Sequence, residues 1–195
     1  MQQVFLVFKP ILLNYIKEES VSILEKLWNE KSRFYHNVTH LTQIIKDIES
    51  SIWFKDLSLP EKHALVLAAF FHDAVYDPKK KDNEDKSIEL FKQLYIGKDS
   101  IMSKKVVELI EITKHRKRPY KFLQRIFWDA DNTGFMKGYD TLLKNEKLIA
   151  KEYKFVNKAA YKKGRIDFIK TNIGLFNSKV DKDLEKLILY CEKTY

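Results

Sequence analysis

Residues 64–71 read ALVLAAFF, eight apolar side chains in a row. As a helix this segment is apolar on every side, so it belongs at the centre of a core with other elements packed around it. The pair His72-Asp73 follows it directly. Burying an imidazole and a carboxylate beside such a run is costly unless each finds a partner. A divalent metal ion would satisfy both at once, and it would need further ligands from elsewhere in the chain.

The surrounding elements read as helices. Only 5 Gly and 4 Pro occur in 195 residues, 45% of which are apolar, and so few turn formers favour few, long elements. Residues 10–30 place Leu12, Tyr15, Ile16, Ile23, Leu27 and Trp28 mostly three and four apart, and 38–54 continue with Leu41, Ile44, Ile45, Ile48 and Ile52. Ser58 with Glu61 three later reads as a capping box ahead of the apolar helix, and Pro60 suits its first turn. The polar stretch DPKKKDN (77–83) breaks the pattern, and Asp82 or Asn83 then caps a helix over about 84–96. Ser100 caps 101–115, and a helix from about 120 carries FLQRIFWDAD. Asp140 caps 141–155, and helices at 159–173 and 181–193 finish the chain. The expectation is an all-α, single-domain bundle of about eight helices over 1–195, without repeats or strands.

Cys191 is the only cysteine, which excludes an intramolecular disulfide and a cysteine-based zinc site. MQQVFLVF lacks a basic start and meets Lys9-Pro10 too soon for a signal peptide. No apolar run approaches membrane-spanning length. The expectation is a cytoplasmic protein with no membrane partner and an oligomeric state the sequence leaves open. Residues 1–97 carry a net charge of −1 and residues 98–195 a net of +10. A basic half attracts nucleic acid or phosphorylated small molecules, or is a solvated lysine-rich surface.

Four places carry chemistry. RFYHNVTHL (33–41) sets His36 and His40 four apart, on one face if helical. Both can ligate metal, one can ligate while the other meets substrate, or the two are a surface pair. His72 and Asp73, as neighbours, diverge by about 100° on a helix, so they meet one ion only where the helix ends. WDADNTG (128–134) adds Asp129 and Asp131, either of which can complete a set of two imidazoles and two carboxylates. His63 stands outside these groupings and reads as a surface residue.

In order, these positions resemble the HD superfamily of metal-dependent phosphohydrolases, whose pattern is a His, a His-Asp about thirty residues later and a distant Asp, all on helices. The chain is similar to its small predicted bacterial phosphohydrolases of unknown substrate in Arg33, Tyr35, His36, Asn37 and His40. It is similar again in FHDAVYDP, in Asn83-Glu84 with Ser87, in Thr113-Lys114-His115, in WDAD, in Glu152-Tyr153 and in Gly164-Arg165. The resemblance spans about residues 12–170. It departs after the last Asp, where Asn132-Thr133-Gly134 replaces an apolar continuation and keeps Asp129 in competition with Asp131.

The resemblance implies a helical domain holding one or two divalent ions (Mn, Mg, Fe, Zn, Co or Ni) on His40, His72, Asp73 and Asp131. It implies a hydrolase that cleaves a phosphoester of a small phosphorylated molecule, a nucleotide among the candidates, with a metal-activated water. Asp73 would also orient that water. Arg33, Lys114 and the turn Arg116-Lys117-Arg118 are candidate cations for the phosphate. Tyr35 and His36 would contact substrate, and Tyr76 and Trp128 would stack on a base or pack the core. His115 would contact phosphate or hold a second metal, against a plain helix C-cap role. Glu84 would act in proton transfer, against plain first-turn stabilisation. The competing readings are a nucleotide- or nucleic-acid-binding module with a non-catalytic metal site, and a di-iron oxygenase. The aromatic–basic alternation of an RNA-binding module does not occur.

Overall fold

The structure is a computed structural model that describes residues 2–114 and 117–195. His115 and Arg116, two of the residues expected near phosphate, lie outside the described residues.

Among the described residues the chain forms eleven α-helices, two 3₁₀ turns and no strand. Its contacts group into two compact units, the first running through Asp131 apart from Lys117 and Arg118, which group with the second, Asn132 to Tyr195. The first unit contains α1 (Gln3–Leu12), α2 (Glu18–Trp28), α3 (Val38–Glu49), α4 (Leu59–Phe71), α5 (Asn83–Leu94), α6 (Ser100–Glu111) and α7 (Phe122–Asp131). The second contains α8 (Thr133–Met136), α9 (Tyr139–Glu152), α10 (Lys158–Lys170) and α11 (Ser178–Thr194).

The apolar run becomes the axis of the first unit. Every residue of α4 from Ala64 to Phe71 is buried, and α1, α3, α5, α6 and α7 all pack against it. Full burial of a side chain such as Leu65, Phe70 or Phe71 contributes about 1.5–3 kcal/mol, so this helix anchors the unit. It starts as the sequence implies: Ser58 N–H donates to the Glu61 carboxylate at 2.9 Å, and Pro60 sits in the first turn.

Other boundaries differ from the sequence reading. The stretch 10–30 is two helices. The first begins at Gln3 and carries Pro10 inside it, with Val4, Phe5, Phe8 and Leu12 facing the core. The break after Leu12 is held from outside, because Ile16 forms an antiparallel bridge with Tyr95 and Tyr15 O accepts from Ile96 N–H at 2.8 Å. Asp99, not Ser100, caps α6, accepting from Ile101 and Met102 N–H. At the start of α9 Gly138 takes φ +86°, a left-handed turn that glycine enters at no steric cost, and Asp140 falls inside the helix. His63 is half-buried and bonded to the Tyr15 hydroxyl at 2.8 Å, and burial lowers its pKa.

The second unit has its own core of Leu142, Ile169, Val180, Leu184, Leu187 and Cys191. It also buries Glu146 completely, against the Arg165 guanidinium and the Tyr161 hydroxyl at 2.7 Å. The carboxylate beside it, after burial itself, pushes the Cys191 thiol up to about 12.

Candidate metal centre

The centre is built at the C-terminus of α4. A helix ends with four carbonyls that lack intrahelical partners, and here backbone N–H groups of the turn, the His72 ring and side chains from other segments meet them and the carbonyls just beyond. His72 Nδ1 lies 2.9 Å from the Ala69 carbonyl, which can only accept, so Nδ1 carries the proton. The Trp28 indole N–H donates to Phe70 O at 2.8 Å. Arg33 donates to Asp73 O at 2.6 Å and to Ala74 O at 2.8 Å. A cation at this end also suits the helix dipole.

These bonds leave His72 Nε2 facing away from the helix. Among the described residues it is the one buried side-chain polar atom with no hydrogen bond. Asp73 Oδ2 lies 3.3 Å from it and Asp131 Oδ1 3.6 Å. His40 Nε2 lies 3.4 Å from the same Asp131 oxygen. Ligand atoms of His40, His72 and Asp73 all fall within 4.8 Å of one another. Two imidazole nitrogens and two carboxylates therefore converge from α3, the end of α4 and the end of α7. Asp129 and Asp131 are two residues apart on α7, so they point about 200° apart, and it is Asp131 that meets both imidazoles.

Electrostatics within the group are strongly coupled. Burial disfavours a charged His72 ring, but the carboxylates of Asp73 and Asp131 outweigh it and raise its pKa to about 9. Burial likewise opposes a charged Asp73, but the imidazoles of His72, His36 and His40 hold its carboxyl well below the usual range. The carboxylates of Asp73 and Asp131 set against the His72 and His40 rings make the site one that suits positive charge. The donor set of mixed nitrogen and oxygen fits a divalent first-row metal or Mg²⁺ without selecting sharply among them. The Nδ1–H to Ala69 bond is the outer contact expected of a ligating histidine.

The segment before α3 supplies the wall. Asn37 caps α3 through Thr39 N–H at 2.8 Å and donates to Phe34 O at 2.9 Å. Because α3 starts at Val38, His36 lies ahead of the helix, and the shared-face argument from its spacing does not apply to it. His36 instead stacks on Tyr76 at 4.2 Å, and Tyr35 packs against both His36 and His40 at 4.8 and 4.9 Å. Trp128 is buried in the core. From α5, Ser87 bonds both the N–H and the carbonyl of Val75, and Asn83 exchanges hydrogen bonds with the backbone of Asp77. Asn83 and Ser87 thus hold the loop after Asp73, a role the sequence reading missed.

Three expected residues stand elsewhere. Arg33 is 5% exposed, and its guanidinium is taken up by the carbonyls of Asp73 and Ala74 and the Glu30 carboxylate. That engagement makes it a strut of the site rather than a cation presented to substrate. Lys114 is paired with Asp85. Glu84 occupies the first turn of α5 and, among the described residues, is not part of the group around His72.

No protein-family model matches the chain, and no curated protein matches it.

Proposed function

We propose that this chain is a metal-dependent phosphohydrolase of the HD type, acting on a small phosphorylated molecule. The observation that carries the reading is His72 Nε2. It is a buried nitrogen without a hydrogen bond, set among His40 Nε2 and the carboxylates of Asp73 and Asp131. Leaving such an atom unsatisfied costs about 1–3 kcal/mol, and ligation removes that cost.

His40, His72, Asp73 and Asp131 would hold the ion. A bound divalent ion lowers the pKa of its water toward neutrality and offsets the charge that builds on phosphoryl oxygens. Asp73 has two oxygens, so one would ligate while the other would orient the attacking water by accepting a hydrogen bond from it. His72 stays in the tautomer that presents Nε2 because Ala69 O holds the Nδ1 proton. His36, Tyr35 and Tyr76 would bound the substrate beside the ion. Lys114 would serve as a phosphate contact by leaving Asp85, whose side chain is 60% exposed; an exposed pair of that kind is weak enough to exchange.

The test is elemental analysis together with hydrolysis of phosphomonoesters, linear diesters and nucleotides by protein reloaded with Mn²⁺, Mg²⁺ or Co²⁺. Hydrolysis by the wild type that disappears in Asp73→Ala and His72→Ala supports the proposal. Absence of both metal binding and hydrolysis in the wild type overturns it.

A further inference from the structure

We propose that the exposed face of α1, together with the groove between α1 and α3, is the contact through which two copies of this chain form a two-fold symmetric dimer. Only Gln3 and Lys9 are polar in α1. A helix apolar all round belongs in an interior, where α4 lies, yet α1 is covered on one side alone. Val4, Phe5, Phe8 and Leu12 face the core, while Leu6 is 57% exposed, Val7 60% and Leu13 39%, with Pro10 exposed between them. By helical geometry Leu6, Val7, Pro10 and Leu13 fall within one stripe about 120° wide. Scattered exposed apolar side chains are ordinary, whereas a contiguous stripe marks an interaction site.

The groove runs alongside this stripe. Both α1 and α3 pack on α4, and between them a cleft of about 470 Å³ stays open, with Val7, Phe8, Val38 and Ile45 among its walls. Val7 belongs to both features, so each copy offers an apolar ridge next to an apolar groove. Such a surface is self-complementary, because a two-fold axis sets the ridge of one copy into the groove of the other.

The charges agree with a second copy as the occupant. Lys46 and Glu49 line the same groove from α3, both exposed and three residues apart. A surface of one sign would repel its copy, but this one carries both, and a two-fold axis brings Lys46 toward Glu49 of the second copy and the reverse. The cation within α1, Lys9, is paired with Glu18, unlike the lysine-rich flank of a helix that lies on anionic lipid. Helices of 10 and 12 residues side by side make a platform of about 18 by 20 Å. Pressing two such platforms together removes about 1,000 Å² from solvent in total, the lower end for a specific interface, so the dimer should dissociate in the micromolar range.

The experiment is sedimentation equilibrium of the full chain in chelator, from about 1 to 500 μM. The average mass should rise from that of one chain, 23.3 kDa, toward that of two. Val7→Glu puts a charge into the apolar contact and should weaken association at least about tenfold. Lys46→Glu and Glu49→Lys should each weaken it about three- to tenfold. An equimolar mixture of those two variants should recover the wild-type affinity, because each residue then meets its opposite across the axis. Asp73→Ala should dimerise as the wild type, which separates this contact from the metal centre. Circular dichroism verifies that each variant is folded. A wild type monomeric at every concentration, unchanged association in folded Val7→Glu, a mixture no tighter than its components, or loss of association in folded Asp73→Ala overturns the proposal. A monomeric wild type that cosediments with phospholipid vesicles overturns it in favour of a lipid surface.

Discussion

Replacing Arg33 with Met should destabilise the first unit and loosen the metal centre together. The guanidinium donates at 2.6 Å to Asp73 O and at 2.8 Å to Ala74 O, and Ala74 is 0% exposed. It also reaches the carbonyl of His36 at 3.4 Å. One side chain thereby ties the segment that precedes His40 to the turn that carries His72 and Asp73. A hydrogen bond from a charged donor contributes about 1.5–3 kcal/mol, and a buried carbonyl left without its donor bears the full desolvation cost. The Glu30 contact adds little, since that side chain is 42% exposed. Water reaching the half-buried Asp73 segment recovers part of the loss, so about 3 kcal/mol is expected for Met. Arg33→Lys keeps the charge, but one ammonium cannot span both carbonyls as the planar fork does, and a loss of about 1–2 kcal/mol is expected. Outer contacts of this kind typically alter metal affinity 10- to 100-fold. Urea unfolding of metal-free protein gives the stability term, and competition with a chromophoric chelator gives Mn²⁺ affinity. If wild type binds metal and Arg33→Met is within about 0.5 kcal/mol of it with the same affinity, the strut argument is wrong.

Stability of metal-free protein should depend on pH through His72. Its folded pKa of about 9 lies above the usual 6.5, so its contribution is complete below pH 6.5 and disappears as pH rises through 9. The full span is about 3 kcal/mol; thermal melts should fall across that window in wild type and flatten in His72→Gln, and an equal slope in both refutes the assignment. Asp131→Asn should weaken Mn²⁺ binding at least about tenfold, while Asp129→Asn changes it by under about threefold; calorimetry showing the reverse order would exchange their roles. Arg165→Met strands the buried Glu146 carboxylate, and chemical denaturation should register about 3–5 kcal/mol, with Glu146→Gln/Arg165→Met recovering much of it; a neutral single variant would mean Glu146 is paired by Tyr161 alone.

The apolar run and His72-Asp73 carry most of what can be read without coordinates. Eight successive apolar residues require a buried, central element whatever surrounds them, and a polar pair at its end requires partners, because the desolvation cost is local. The all-helical class and the capping box at Ser58 follow from spacing in the same way. Other features are properties of neighbours that are distant in the chain. Arg33 reads as a cation for substrate until the carbonyls at the end of α4 appear beside it. Asp129 and Asp131 are equivalent in composition, and the phase of α7 against His40 and His72 separates them. The helical spacing is read only from residue 10 onward, yet α1 begins at Gln3 and runs through Pro10 with Phe5 and Phe8 in the core. In α9 the sequence mixes lysines and glutamates, and only packing turns Glu146 and Glu152 inward. Hydrophobic order along the chain thus determines which helix is central, whereas electrostatic and hydrogen-bond roles depend on distances of a few ångströms between residues tens of positions apart, which tertiary packing alone decides.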